Sequence, residues 1–198
     1  MKVFRALVAT ACFVALLLGT YLAHMRFLPV NVVFYASIAD GVVAALVMGL
    51  ALMVLRAFRV FTGMEKAQLV VIWLLMGYAF AISVPTVIDR SLSFYILEKL
   101  QQRGGGIQRS RFADVFTQEY LPEHRLVDVR LTEQQESGTI VIENGCVKLT
   151  EKGRELATAS RYFRQHFLPK RRLLMGTYSA DLTDPFRQSQ DIEDYKCQ

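Results

Sequence analysis

Residues 83–100 read SVPTVIDRSLSFYILEKL, and the way this stretch divides decides the fold. Behind it, from Ala67 to Ile88, no residue carries a charge. The run then meets Asp89-Arg90, and Ile88, Leu92, Ile96 and Leu100 repeat every four residues across that boundary. Such a repeat keeps side chains on one helical face. The spacing predicts one bent helix, kinked at Pro85, membrane-buried at one end and core-forming at the other. Asp89-Arg90 would mark the water boundary, and RGGGI at 103–107 would end the helix.

Two more apolar runs lie toward the N-terminus. Residues 6–23 carry no charge, and residues 27–55 carry only Asp40. A helix crossing the hydrocarbon core needs about 20 apolar residues. The chain is 53% hydrophobic, and the excess sits in its first half. Three spans are expected, at roughly 4–24, 30–56 and 67–88, forming a membrane domain over 1–87. Lys2 and Arg5 before the first run resemble the start of a signal peptide, but GTYLAHM (19–25) is a poor cleavage site, so an uncleaved span is expected.

The net charge of +5 is unevenly placed. From Gly104 to Phe167 nine bases face nine acids, so this part is neutral. A neutral domain lacks the electrostatic footprint of nucleic-acid binding. Arg56, Arg59 and Lys66 fill the second loop, which the positive-inside rule places in the cytoplasm. Three spans then carry the C-terminal half outside, although Arg90, Lys99, Arg103, Arg109 and Arg111 pull the other way. The balance leans to an external, periplasmic domain on a bacterial inner membrane. Cys146 and Cys197 would be a candidate pair in an oxidising compartment, and no cysteine spacing suggests a metal or redox motif.

Within span two, Ser37, Gly41, Ala45 and Gly49 recur every four residues. Small residues on one face let another helix approach closely, which replaces the hydrophobic drive that lipid cannot supply. That helix could be span one or three, or belong to another membrane protein. Asp40 sits about 15 Å into the span. A carboxylate there is costly unless partnered. Span two begins where span three ends, so Asp40, Asp89 and Arg90 gather toward one side, and Arg90 could pair with either acid. Two readings stay open: an ion pair that staples spans two and three, or a polar pocket for a head group or phosphate.

Beyond the spans, Phe112, Val115, Phe116 and Tyr120 suit a helix closed by Pro122, and 124–138 suits another. TIVIENGCVKLT places two short apolar runs around Asn144-Gly145, a favoured hairpin turn. Thr150 then caps a helix with Leu156, Ala159, Phe163 and Phe167 on one face, ended by Pro169. The stretch SGTIVIENGCVKLTEKGRELA resembles the third helix end, wing and following helix of winged-helix domains in MarR- and PadR-like regulators. The resemblance spans about 88–167 and is best at 137–157. It implies a mainly helical fold class: three transmembrane helices, then a small α+β winged-helix domain over 88–168. In DNA-binding members the third helix enters the major groove; here Asp128, Glu133 and Glu136 would stand beside Arg125 and Arg130.

Residues 169–198 remain as a basic juxtamembrane segment and polar tail. Arg161, Arg164, Lys170, Arg171 and Arg172 alternate with aromatic and aliphatic residues. They read either as a solvated basic helix end or as a cluster meeting anionic lipid. No nucleophile elbow, metal cluster or phosphate loop is visible, and no cofactor is expected. The expectation is a non-catalytic membrane subunit. Its partners would be lipids and either another integral membrane protein or further copies of itself, and nucleic acid is not expected. A bacterial envelope machine for lipid-linked glycan assembly or transport suits that architecture. The alternative is a membrane-tethered transcription regulator or signal transducer.

Overall fold

The computed structural model describes residues 2–183, 185 and 186. It is mainly helical and divides into two compact units, Met1–Tyr120 and Leu121–Gln198. The helices up to Tyr120 cluster with the apolar bundle.

The first unit begins with α1 (Lys2–Phe27), α2 (Val33–Val54) and α3 (Gly63–Ala81). α3 runs on through a π-helical turn, Ile82–Thr86, into Val87–Arg90. All three are long and apolar enough to cross a membrane. α3 starts on a capping box: the Thr62 hydroxyl accepts from the Glu65 amide, and the Glu65 carboxylate accepts from the Thr62 amide.

α2 is the central helix, with Ser37, Gly41, Ala45 and Gly49 all buried. A Cβ added to Gly41 would lie 3.1 Å from the Gly77 Cα, and one added to Gly77 would lie 3.0 Å from the Gly41 Cα. The backbones of α2 and α3 therefore touch. Of the two candidate partners for this face, a helix of the same chain occupies it. On the other side, Phe13 of α1 stacks on Trp73 of α3 at 5.5 Å, and the Trp73 indole donates to the Thr10 hydroxyl at 3.1 Å.

The helix through 83–100 is not continuous. Pro85 lacks an amide hydrogen, and the chain absorbs the loss by widening into the π turn. At Ser91 the backbone becomes extended (φ −81°, ψ 110°), and its hydroxyl accepts from the Phe94 amide at 3.4 Å, starting α4 (Leu92–Gln102). The apolar repeat misled because it carries no record of this cap. Ile88 and Leu92 are exposed, while α4 buries Tyr95 and Lys99. Tyr95 packs on Tyr120 at 4.5 Å, from a second π segment, Val115–Tyr120.

The second unit holds α5 (Leu126–Glu136), a hairpin of β1 (Ile140–Glu143) and β2 (Cys146–Leu149), and α6 (Glu151–Phe167). Glu143 pairs with Cys146 across Asn144-Gly145, both at positive φ, which suits a tight two-residue turn. The Thr150 hydroxyl caps α6 by accepting from the Gly153 amide at 3.1 Å and donates to the Gly138 carbonyl at 2.8 Å. Gly153 is required there, since a Cβ would meet the Thr139 carbonyl oxygen at 2.0 Å. Among the described residues of this unit only Thr139 and Gly153 are buried. Leu156, Phe163 and Phe167 line α6 but stand exposed. A further hairpin, β3 (Arg172–Leu174) with β4 (Thr177–Ser179), follows where the sequence offered only a basic segment.

Replacing Gly41 by Leu should cost about 1–3 kcal/mol, because the added side chain must force two backbones apart. Gly19→Leu, at a site with nothing within 4 Å of an added Cβ, should change stability by less than about 0.5 kcal/mol. Thermal unfolding of both variants in the same detergent measures the difference.

Candidate functional site

The polar end of the helix bundle gathers the last turn of α1, the first turns of α2 and the extension of α3. Asp40 is 6% exposed, and its Oδ1 lies 2.8 Å from His24 Nδ1. Its Oδ2 is buried with no hydrogen-bond partner. Thr86, in the π turn, also has a buried hydroxyl without a partner. Arg90 lies elsewhere in the cluster: its Nε is 4.0 Å from Asp89 Oδ2 and its guanidinium stands 5.8 Å from the Phe34 ring centre.

Of the two acids open to Arg90, it stands beside Asp89, while Asp40 meets His24. The reason lies in helix direction. His24 is three residues before the end of α1, about 4.5 Å in, and Asp40 is seven residues after the start of α2, about 10 Å in. Side chains lean toward the N-terminus of their own helix. In antiparallel helices the His24 ring therefore leans inward and the Asp40 carboxylate outward, and the two meet. Arg90, beside the Phe34 ring at the first turn of α2, belongs to a shallower layer. The available signal was the short connection between α1 and α2, which sets both residues at one end.

A half-satisfied carboxylate in a bundle of this kind is costly, since burial without a hydrogen bond is opposed by lost hydration. Oδ2 can accept a further hydrogen bond from a hydroxyl or an amine. The arrangement holds no nucleophile beside a base. Among the described residues no group of three His, Cys, Asp or Glu comes together to hold a metal.

A second polar feature lies after the spans. The buried Lys99 ammonium reaches Glu119 at 2.8 Å, and Arg103 reaches it at 2.7 Å. The hydrogen bond from Lys99, helped by Arg103, holds the Glu119 carboxyl below its ordinary value. A cavity of about 420 Å³ opens beside this pair, lined by Arg103, Arg111, Asp114, Gln118 and Glu119. Neither Lys99 nor Glu119 was singled out by the sequence, because Lys99 sits on a face that the apolar repeat marked as polar.

The basic cluster is spread over two elements. Arg161 and Arg164 sit on α6, whereas Arg172 opens β3 after Lys170 and Arg171. Cys12 is free and exposed, and Cys197, the expected partner of Cys146, lies outside the described residues. Compared with protein-family models, with curated proteins and with solved structures, the chain matches none.

His24→Leu should destabilise the bundle by about 3–5 kcal/mol, because it strands a buried carboxylate. The double variant His24→Leu with Asp40→Leu should recover most of that loss. A double-mutant cycle by thermal unfolding in micelles reads both, and equal stability of the single and wild-type chains would remove the pair as a structural element.

Proposed function

We propose that this chain is a non-catalytic subunit of a larger membrane assembly. Three helices anchor it, and Leu121–Gln198 serves as a winged-helix-like module for binding protein. The unit stands on the external face of a bacterial inner membrane. The observation that carries this reading is the missing core of the second unit. Val127, Ile142, Val147, Leu149 and Leu156 are all exposed, although their periodicity is that of a buried face, with Ile142 and Val147 directly paired across the hairpin. An apolar surface of this extent rimmed by charge is what a binding site presents.

The order α5, hairpin, α6 supports the winged-helix reading, and the surface of α5 favours protein over DNA. Its Arg125 pairs with Asp128 at 2.8 Å and Arg130 with Glu133 at 2.7 Å. Each base that would meet a phosphate is already answered by an acid one turn away. The docking partner expected for the small-residue face of α2 must instead meet other surfaces, since α3 covers Gly41 and Val70 covers Gly49.

A photo-crosslinking residue at Val147, introduced into the full chain at native expression, should yield one discrete adduct with an integral membrane protein. Ile142→Asp, the cross-strand neighbour of Val147, should cut that adduct about tenfold, a loss of about 1.4 kcal/mol. Monomer alone, together with DNA binding by the full chain at low salt, would replace this reading with the tethered regulator.

A further inference from the structure

We propose that the C-terminal half of α6 and the β3–β4 hairpin form a docking surface for anionic lipid. This rests on the membrane anchor and is independent of the protein partner proposed above. The first observation is exposure. Phe163 and Phe167, one turn apart on α6, pack ring to ring at 5.3 Å and are 55% and 65% exposed. Leu173 and Tyr178 are cross-strand partners and therefore share one face of the hairpin. Both are also exposed.

The second observation is the hairpin turn. Met175 and Gly176 occupy it, both with positive φ (50° and 92°). The first hairpin fills the same two positions with Asn144 and Gly145. A left-handed conformation is disfavoured for a residue with a long apolar side chain and no local hydrogen bond to offer. Here it holds the Met175 side chain at the tip, 77% exposed. Strain that presents an apolar group to the outside points to an apolar medium that receives it.

The third observation is charge. Residues 156–180 contain Arg161, Arg164, Lys170, Arg171 and Arg172 and no acid. Elsewhere in this unit bases are paired, as in Arg125–Asp128, Lys148–Glu143 and Arg154–Glu151. Arg164, Lys170 and Arg172 have no acidic partner among the described residues. At 100° per residue Arg164 borders the Phe163–Phe167 arc, while Arg161 turns to the far side. Lipid contact is therefore assigned to Arg164 and Lys170; Arg161 is excluded, and so is Arg172, which alternates to the hairpin face opposite Leu173 and Tyr178. Apolar groups rimmed by bases are the chemistry of an anionic bilayer surface. The anchor keeps such a surface within reach at high effective concentration.

The test uses the full chain in nanodiscs, with Cys12, Cys146 and Cys197 replaced by Ser and a polarity-sensitive fluorophore on Met175→Cys. In discs containing phosphatidylglycerol the emission should shift to the blue and be quenched by spin-labelled lipid. In pure phosphatidylcholine both effects should fall at least tenfold. The double variant Arg164→Gln, Lys170→Gln should lose them in the anionic discs, and Arg161→Gln and Arg172→Gln should each keep them. High salt on the unaltered sequence should act like the double variant, which guards against misfolding of that variant. A water-exposed label in both lipids, equal insertion in both, or a shift that appears only with two chains per disc would overturn the proposal.

Discussion

The contact between the Gly41 and Gly77 backbones is the constraint on which the bundle depends. Lipid offers no hydrophobic drive between helices, so close packing and polar bonds must hold them. With no side chain at either position, α2 and α3 meet at the distance where a Cβ would be 3.0–3.1 Å from the opposite backbone. That approach buries the neighbouring residue, Asp40, and leaves its carboxylate to find a partner inside the bundle. His24 supplies it from α1. At the same end of the bundle lies the π turn around Pro85, where Pro85 is buried and Thr86 keeps an unanswered hydroxyl. The polar end of the bundle is thus a consequence of glycine placement.

The two units obey different logics. The first closes on itself: Phe13, Trp73, Ala44 and Leu52 are fully buried, and the exposed aliphatic residues of α2, such as Leu46 and Leu50, suit lipid. The second closes only at a knot of hydrogen bonds around Thr139, Thr150 and Gly153. That knot fixes how the hairpin leaves α5 and enters α6, yet it covers almost no apolar surface. On the proposed reading, such a unit holds its shape locally and gains its burial from what binds it. The proposed protein contact on the first hairpin and the lipid contact on the second follow from the same deficit.

What the sequence made legible was local. The three spans follow from uninterrupted apolar length. The first hairpin follows from Asn144-Gly145, and the start of α6 from Thr150, because each depends on residues within one turn. The small-residue face of α2 was also visible, although its partner was not. What escaped depended on non-local geometry. His24 and Asp40 are 16 residues apart and meet only because two antiparallel helices lean their side chains toward one another. The break at Ser91 interrupts an apolar repeat that continues across it. The second hairpin turns on Met175-Gly176, a pair with no turn signature in its first position. The periodicity of Leu156, Phe163 and Phe167 correctly marked one face of α6, but periodicity cannot say what covers a face.

Sidedness tests the account most directly, because three crossings must place the second loop and the C-terminal unit on opposite sides of the membrane. Single cysteines at Arg59 and at Thr158, in a chain with Cys12, Cys146 and Cys197 replaced by Ser and in intact cells, would be exposed to a membrane-impermeant maleimide. The account predicts that Thr158→Cys reacts at once and that Arg59→Cys reacts only after permeabilisation. Reaction of both on the same side would contradict three crossings, and with them the bundle on which everything else rests.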